Sequence, residues 1–375
     1  MNQEADIPIA TYDRWAILRP KIDLARTLVS YAGTQLLVQL IGLVAGFLII
    51  RSLPKESYAI YILAATGIGL LSVLSDSGIT SATMSLIGAG RHDRVLVTKN
   101  LLAARRLRWR FFAVASLALL PLFVRLAGTE TTGYTAAAIY CAIVLLVALY
   151  QLDYAVTTIV PKLHQDLFPF QRLELVANGV RLGAVVMLAL QLPSAALFLL
   201  TSLLSAFLLA RGGDRLIASE LVDNVEPSAD ETQQIWHRAR PQIPNTVFYC
   251  FFGQASLIVI AILGGDAQVA EVGALGRLSA LFAVATATMA AVVVPRFSRI
   301  AEPRLLQLRY LQTIAFQVAI SGLLLLIATM FPQFLLLILG DQYAGLTHVV
   351  KWSVLAALIH SLAGTVWQLN AARPR

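Results

Sequence analysis

The chain has 375 residues, of which 58% are hydrophobic and 13% charged, with a mean hydropathy of +0.74. No soluble domain carries that balance, and long apolar runs recur along almost the whole chain after residue 27, so the expected fold is an all-α polytopic membrane protein. The net charge of +8 and pI near 9.7 do not point to nucleic acid, because lysine and arginine fall between apolar runs and not on a basic, aromatic-laced domain.

Residues 1–27 carry charges of both signs, with no short apolar region followed by a small-residue cleavage site. They read as a cytoplasmic segment, and the first membrane helix targets the chain. Apolar runs of about 18 residues or more then predict ten spans, at 28–50, 58–80, 111–128, 134–160, 173–192, 194–211, 244–264, 268–295, 309–331 and 347–370. The run FLLLILG at 334–340 is too short to span and is expected to be interfacial or re-entrant.

Charge tests this count independently of hydropathy, because cytoplasmic loops collect lysine and arginine. With the N-terminus inside, the cytoplasmic segments hold 23 of the 29 basic residues. The outer loops hold four, Arg51, Lys55, Arg125 and Lys351, and Arg181 and Arg277 lie inside helices. The alternation holds at every loop, which places both termini in the cytoplasm.

Segment 212–243 is strongly polar, carries both charge signs and several turn formers, and divides the chain into a six-helix lobe (28–211) and a four-helix lobe (244–375). Each lobe opens with a polar-bearing helix, a very short outer loop (RSLPKES or GGDAQ) and a long second helix, a weak internal repeat of the kind found in two-lobed transporters.

The stretch LIGLVAGFLIIRSLPKESYAIYILAATGIGLLSVLSDSGITSAT resembles the opening of O-antigen and exopolysaccharide flippases of the Wzx type, within the multidrug/oligosaccharidyl-lipid/polysaccharide exporter superfamily. Its Arg-x-Leu step, proline turn, Tyr-Ala pair and Asp76-Ser77-Gly78 carry the resemblance, joined by GALGRLSALF and by Gly340 and Tyr343 in ILGDQYAG. The motifs are loose, and their order over most of residues 25–370 carries the match. The resemblance implies alternating access, a polyprenyl-pyrophosphate-linked oligosaccharide as cargo, membrane lipids and other polysaccharide-assembly membrane proteins as partners, and the bacterial inner membrane as location. The family usually has twelve or more helices, so the second lobe reads as incomplete, a truncated product or fragment in preference to a short functional form.

An ionisable group inside a span costs several kcal/mol and is a functional candidate by default. Arg277 sits about ten residues into the eighth span; its planar fork suits a diphosphate bidentately, or it bonds carbonyls and holds two helices together. Asp153 and Arg181 flank one helical hairpin at similar depth, which predicts an ion pair, with a cavity role for Arg181 as the other reading. Asp76, two residues before Gly78, is expected to cap freed amides at a helix break more than to couple protons. Gln39 and Gln254 occupy comparable positions in the two lobes and either line a cavity or bond across helices. His360, Cys141 and Cys250 read as packing residues.

No nucleophile triad, catalytic carboxylate pair, metal cluster or phosphate-cradling loop occurs in the sequence, so an enzyme, a cofactor and a metal are not expected. The cluster RRLRWR at 105–110 is explained by topology. The alternative within the superfamily is a cation-coupled multidrug exporter. Against it stand the absence of a carboxylate in residues 28–50 and the two intramembrane arginines, which repel a cationic drug. A membrane glycan polymerase or ligase would need a large outer loop, and these loops are mostly short.

Overall fold

Proline or glycine marks several helix ends, among them Pro54, Gly78, Gly264, Pro303, Pro332 and Gly340, while Pro121 lies inside a helix. The computed structural model describes residues 14–88, 93–127, 133–164, 167–278, 280, 282 and 302–371. The first helix, α1 (Arg14–Ser52), stops just before Pro54, whose fixed φ of −61° then starts α2 (Lys55–Asp76). Ser77 (φ 38°) and Gly78 (φ 85°) turn through the left-handed region and begin a short α3 (Ile79–Ile87). The break expected at Gly78 is therefore present, although the apolar stretch that starts at Lys55 runs on through it to Ile87.

The chain continues through α4 (Arg94–Ala127), α5 (Gly133–Thr157), α6 (Ile159–His164), α7 (Phe168–Gln191) and α8 (Ala195–Ile217). These pack into one group in which α5 lies against α8, α7 against α1 and α8, and α2 against α4 and α5. Ile49, Ile50, Tyr58, Leu71, Phe198 and Leu199 form its buried centre, while Leu117 and Leu190 face outward, the inversion expected when lipid is the solvent.

The predicted linker 212–243 is more ordered than its polarity suggests. After the end of α8, Ser228 opens the amphipathic α9 (Ala229–Ala239) with a capping box to Glu231. Ile235 and Ala239 are buried against Ile79, Ala82, Ala103 and Leu107, and Arg238 donates to Ser85 Oγ at 2.9 Å.

A second group follows: α10 (Ile243–Leu263), α11 (266–278), α12 (Pro303–Met330), α13 (Pro332–Leu339) and α14 (Thr347–Ala371). Gln317, fully buried on α12, donates to Ser361 Oγ on α14 at 2.7 Å, a neutral polar bond of the kind that joins helices in lipid. FLLLILG is α13, a helix of 8 residues packed on α12 and α14, too short to span as expected. Cys141 and Cys250 are buried free thiols, whereas His360 lies on an exposed face and not in packing.

Among the described residues, seven helical stretches are long and apolar enough to cross a membrane, or eight when the bent pair containing α10 is taken as one span. Of the other two expected spans, the third is the apolar part of α4, which begins only after the arginines at 105–110. The eighth, 268–295, lies mostly outside the described residues. No strand occurs among the described residues.

Candidate functional site

Between the two groups lies a cavity of about 250 Å³, lined by Gln39, Gly42, Leu43 and Phe47 of α1, Arg181 of α7, and Arg277 and Ala280 of the α11 segment. Three side chains singled out from sequence, Gln39, Arg181 and Arg277, are thus brought to one place from three helices. The fourth, Gln254, is half-buried on α10 and does not line it.

The geometry around Arg277 follows from its neighbours in sequence. One turn before it, Gly273 and the fully buried Ala270 and Ala274 give α11 a small-residue face that lets it approach α2; a Cβ on Gly273 would meet Ile62 Cγ1 at 2.7 Å. That approach delivers the guanidinium onto α1, where a Cβ added to Gly46 would lie 3.3 Å from Arg277 Nη1. Arg277 Nε donates to the hydroxyl of Tyr58 at 3.5 Å, and Tyr58 is itself fully buried and stacked on Tyr61. Tyr61 also bonds the guanidinium, and Arg277 lines the cavity from this position.

Arg181 reaches the cavity from a polar stripe on α7. Gln171, Glu174, Asn178 and Arg181 recur at helical spacing and face α1, where Thr34 Oγ1 donates to Gln171 Oε1 at 3.5 Å and Gln35 Nε2 donates to Glu174 Oε2 at 2.5 Å. Tyr154 of α5 also donates to Glu174, at 2.8 Å. Arg181 Nε is buried and has no hydrogen-bond partner among the described residues. No carboxylate lines the cavity or ion-pairs with Arg181 or Arg277 among the described residues. Two guanidiniums thus share one cavity with Gln39 among otherwise apolar lining residues, and guanidiniums favour negatively charged oxygens over cations.

The predicted pair Asp153–Arg181 is not formed. Asp153 accepts from Arg105 Nε at 2.9 Å instead, and Arg105 also lies 3.8 Å from Asp214 on α8. Equal distance from the hairpin turn matched depth but not direction: Asp153 points to α4 and Arg181 to α1. Asp76 acts as expected of a cap, its Oδ1 accepting from the Thr80 amide at 3.1 Å and the Thr80 hydroxyl at 2.6 Å. It also pairs with Arg108, a buried side chain that donates to the Leu152 carbonyl at 3.1 Å.

RRLRWR is therefore more than a topology signal. Arg105 and Arg108, three residues apart, turn inward and tie α4 to α2, α5 and α8, while Arg106, Trp109 and Arg110 stay exposed. That spacing is visible in the sequence and separates the two sets.

A second set of contacts, also missed from sequence, joins the two groups at the end of the bundle where α1 meets α2. Lys55 Nζ lies 2.8 Å from Glu271 Oε1 on α11 and 5.6 Å over the ring of the fully buried Tyr343. Gln342, just past the Gly340 turn (φ 109°), donates its amide to Ile50 O in the last turn of α1 at 2.9 Å and to Leu53 O just beyond it at 3.1 Å.

No family model matches the chain, and no curated protein matches it. Solved structures are similar in fold. An inward-facing structure described as a multidrug resistance MATE family transporter of the MOP superfamily aligns at 14% identity, covering 93% of this chain and 87% of that one, with a TM-score of 0.62. A MATE structure in the straight conformation aligns at 16% identity over 93% and 85%, with a TM-score of 0.57. An outward-facing MATE family transporter aligns at 15% over 93% and 84%, also at 0.57. The chain has the all-α polytopic membrane fold of these transporters.

Proposed function

We propose that the chain is an alternating-access transporter of the bacterial cytoplasmic membrane that flips polyprenyl-diphosphate-linked oligosaccharides for surface polysaccharide synthesis. The observation that carries this reading is the meeting of Arg181 and Arg277, from different helix groups, in one cavity with Gln39 and without a lining carboxylate among the described residues. A diphosphate entering apolar depth is costly, and paired guanidiniums in a polar hollow offset that cost. The two groups then act as the lobes of the transporter, with 212–243 between them. The contacts at the Lys55 end lie on the face that the charge pattern assigns outside, and on this reading they shut it.

A cation-coupled multidrug exporter is the second reading, and the fold comparisons favour it, since the solved neighbours are described as multidrug resistance or MATE transporters. The two readings part on charge, because two guanidiniums with no ion-pair partner among the described residues repel a cationic drug.

The test is complementation of a strain lacking its polysaccharide flippase, read beside membrane abundance and beside drug tolerance in a strain lacking its exporters. Arg277→Lys, which keeps charge and loses the fork, should transport partially; Arg277→Ala should lose transport at normal abundance. Full transport by Arg277→Ala, or drug tolerance without complementation, would overturn the flippase reading.

A further inference from the structure

The two arginines come from helices on opposite sides of the 212–243 segment, α7 before it and α11 after it. Arg181 sits on α7, and α7 is bound to α1 by the Thr34–Gln171 and Gln35–Glu174 bonds, so Arg181 and Gln39 move together. Arg277 sits on α11. Its hold on the N-terminal group includes Gly46, Tyr58, Tyr61 and the close approach of Gly273 to Ile62.

Six residues before Arg277 on the same helix, about 9 Å along its axis, Glu271 makes the ion pair with Lys55. Gln342 and Tyr343 close the same end over the last turn of α1. A rotation that parts the two groups at this end must break Lys55–Glu271 and the Gln342 bonds. Because α11 is one helix from 266 to 278, the same rotation withdraws Arg277 from Gly46 and from Arg181.

We infer that the two-arginine site is a property of one state only: a diphosphate anion is held by both arginines while the Lys55–Glu271 end is shut, and is left with Arg181 alone when that end opens. The inference rests on the reading that the cavity takes an anion, and adds to it how the anion is let go. Losing one charge-assisted fork weakens binding by roughly 10- to 100-fold. By linkage, the anion in turn holds the end shut by the same factor.

The test uses the full chain in nanodiscs with inorganic pyrophosphate as probe, and a Phe47→Cys reporter in the cavity on a background in which Cys141 and Cys250 are replaced by alanine. Lys55→Glu sets two carboxylates face to face and should open the end; adding Glu271→Lys reverses the pair and should shut it. Lys55→Cys with Glu271→Cys, joined by a short bifunctional thiol reagent in a chain without the reporter, holds it shut covalently. In cells, an impermeant thiol reagent added outside should label the reporter in Lys55→Glu and spare it in the parent and the reversed pair. Pyrophosphate should bind at least about tenfold more weakly to Lys55→Glu than to the parent, the reversed pair or the cross-linked form.

Equal binding by Lys55→Glu with the reporter labelled would overturn the inference while leaving the anion reading intact. An unlabelled reporter in Lys55→Glu would overturn the role of the ion pair. Failure of the cross-linked form to bind pyrophosphate would overturn the anion reading and the inference with it. Should Lys55→Glu not accumulate, Lys55→Ala, which removes the pair without facing two carboxylates, takes its place: weaker binding with the reporter labelled is the expected result, and equal binding with the reporter labelled the overturning one.

Discussion

Arg105 Nε donates to Asp153 Oδ1 at 2.9 Å, so the acid of the α5–α7 hairpin is neutralised from α4 and not from its own hairpin. A double-mutant cycle reads this directly. Asp153→Asn should lower the thermal midpoint in detergent, and Asp153→Arg with Arg105→Asp should recover part of the loss, with a coupling of about 1 kcal/mol because Arg105 is partly exposed. Asp153→Arg with Arg181→Asp should recover nothing.

Asp76 and Gly78 set the break between α2 and α3. Asp76→Ala leaves the buried Arg108 without its carboxylate and strips the Thr80 amide of its acceptor. The loss should lie toward the lower end of the roughly 3–5 kcal/mol for breaking a buried pair, since Asp76 is itself part-exposed. Gly78→Ala should cost about 1–2 kcal/mol for a left-handed alanine. It costs more where the added Cβ meets Gln242 Oε1 at 2.5 Å, so Gly78→Ala with Gln242→Ala should melt above Gly78→Ala alone.

Gly67 on α2 lies directly under the ring of Phe123 on α4, with no room for a methyl group. Gly67→Ala should therefore reduce the yield of folded protein, an overpacking cost of about 1–3 kcal/mol or more. Phe123→Leu placed alongside it should restore the yield. Equal yields for Gly67→Ala with and without Phe123→Leu would show that α2 and α4 do not meet there.

Reporter fusions test the orientation drawn from the 23-to-four division of basic residues. Fusions after residues 130 and 267 should report the outer face, and fusions after 100 and 225 the cytoplasm. A reversal at 267 would also move the Lys55–Glu271 pair to the inner face.

The sequence was informative where cost was informative. Arg181 and Arg277 stand out because charge in an apolar run is expensive, and both prove to line one cavity with Gln39. The break at Gly78 was legible because an Asp-x-Gly step near a helix end has few other uses. Partners were not legible. Asp153 had several arginines within reach of its depth, and depth along a helix does not fix the direction in which a side chain points. The Lys55–Glu271 pair joins residues 216 positions apart through loops of unremarkable composition, which no local pattern encodes. Gln254 failed as a counterpart of Gln39 because the two helix groups do not contribute alike to the cavity.

The docking of α9 has a mechanical result. With Ile235 and Ala239 buried and Arg238 bonded to Ser85, the segment between the two groups is carried as cargo of the first, so its length provides no slack. Helix continues from Ala229 through Arg240–Gln242, where Gln242 accepts from Ser81 at 3.2 Å, to Phe252, and the 56° bend comes only between Phe252 and Leu257. Residues inserted at 223–227 would lengthen a segment that bears no load, whereas a single residue inserted at 241 would turn the start of α10 by about 100° relative to the docked α9.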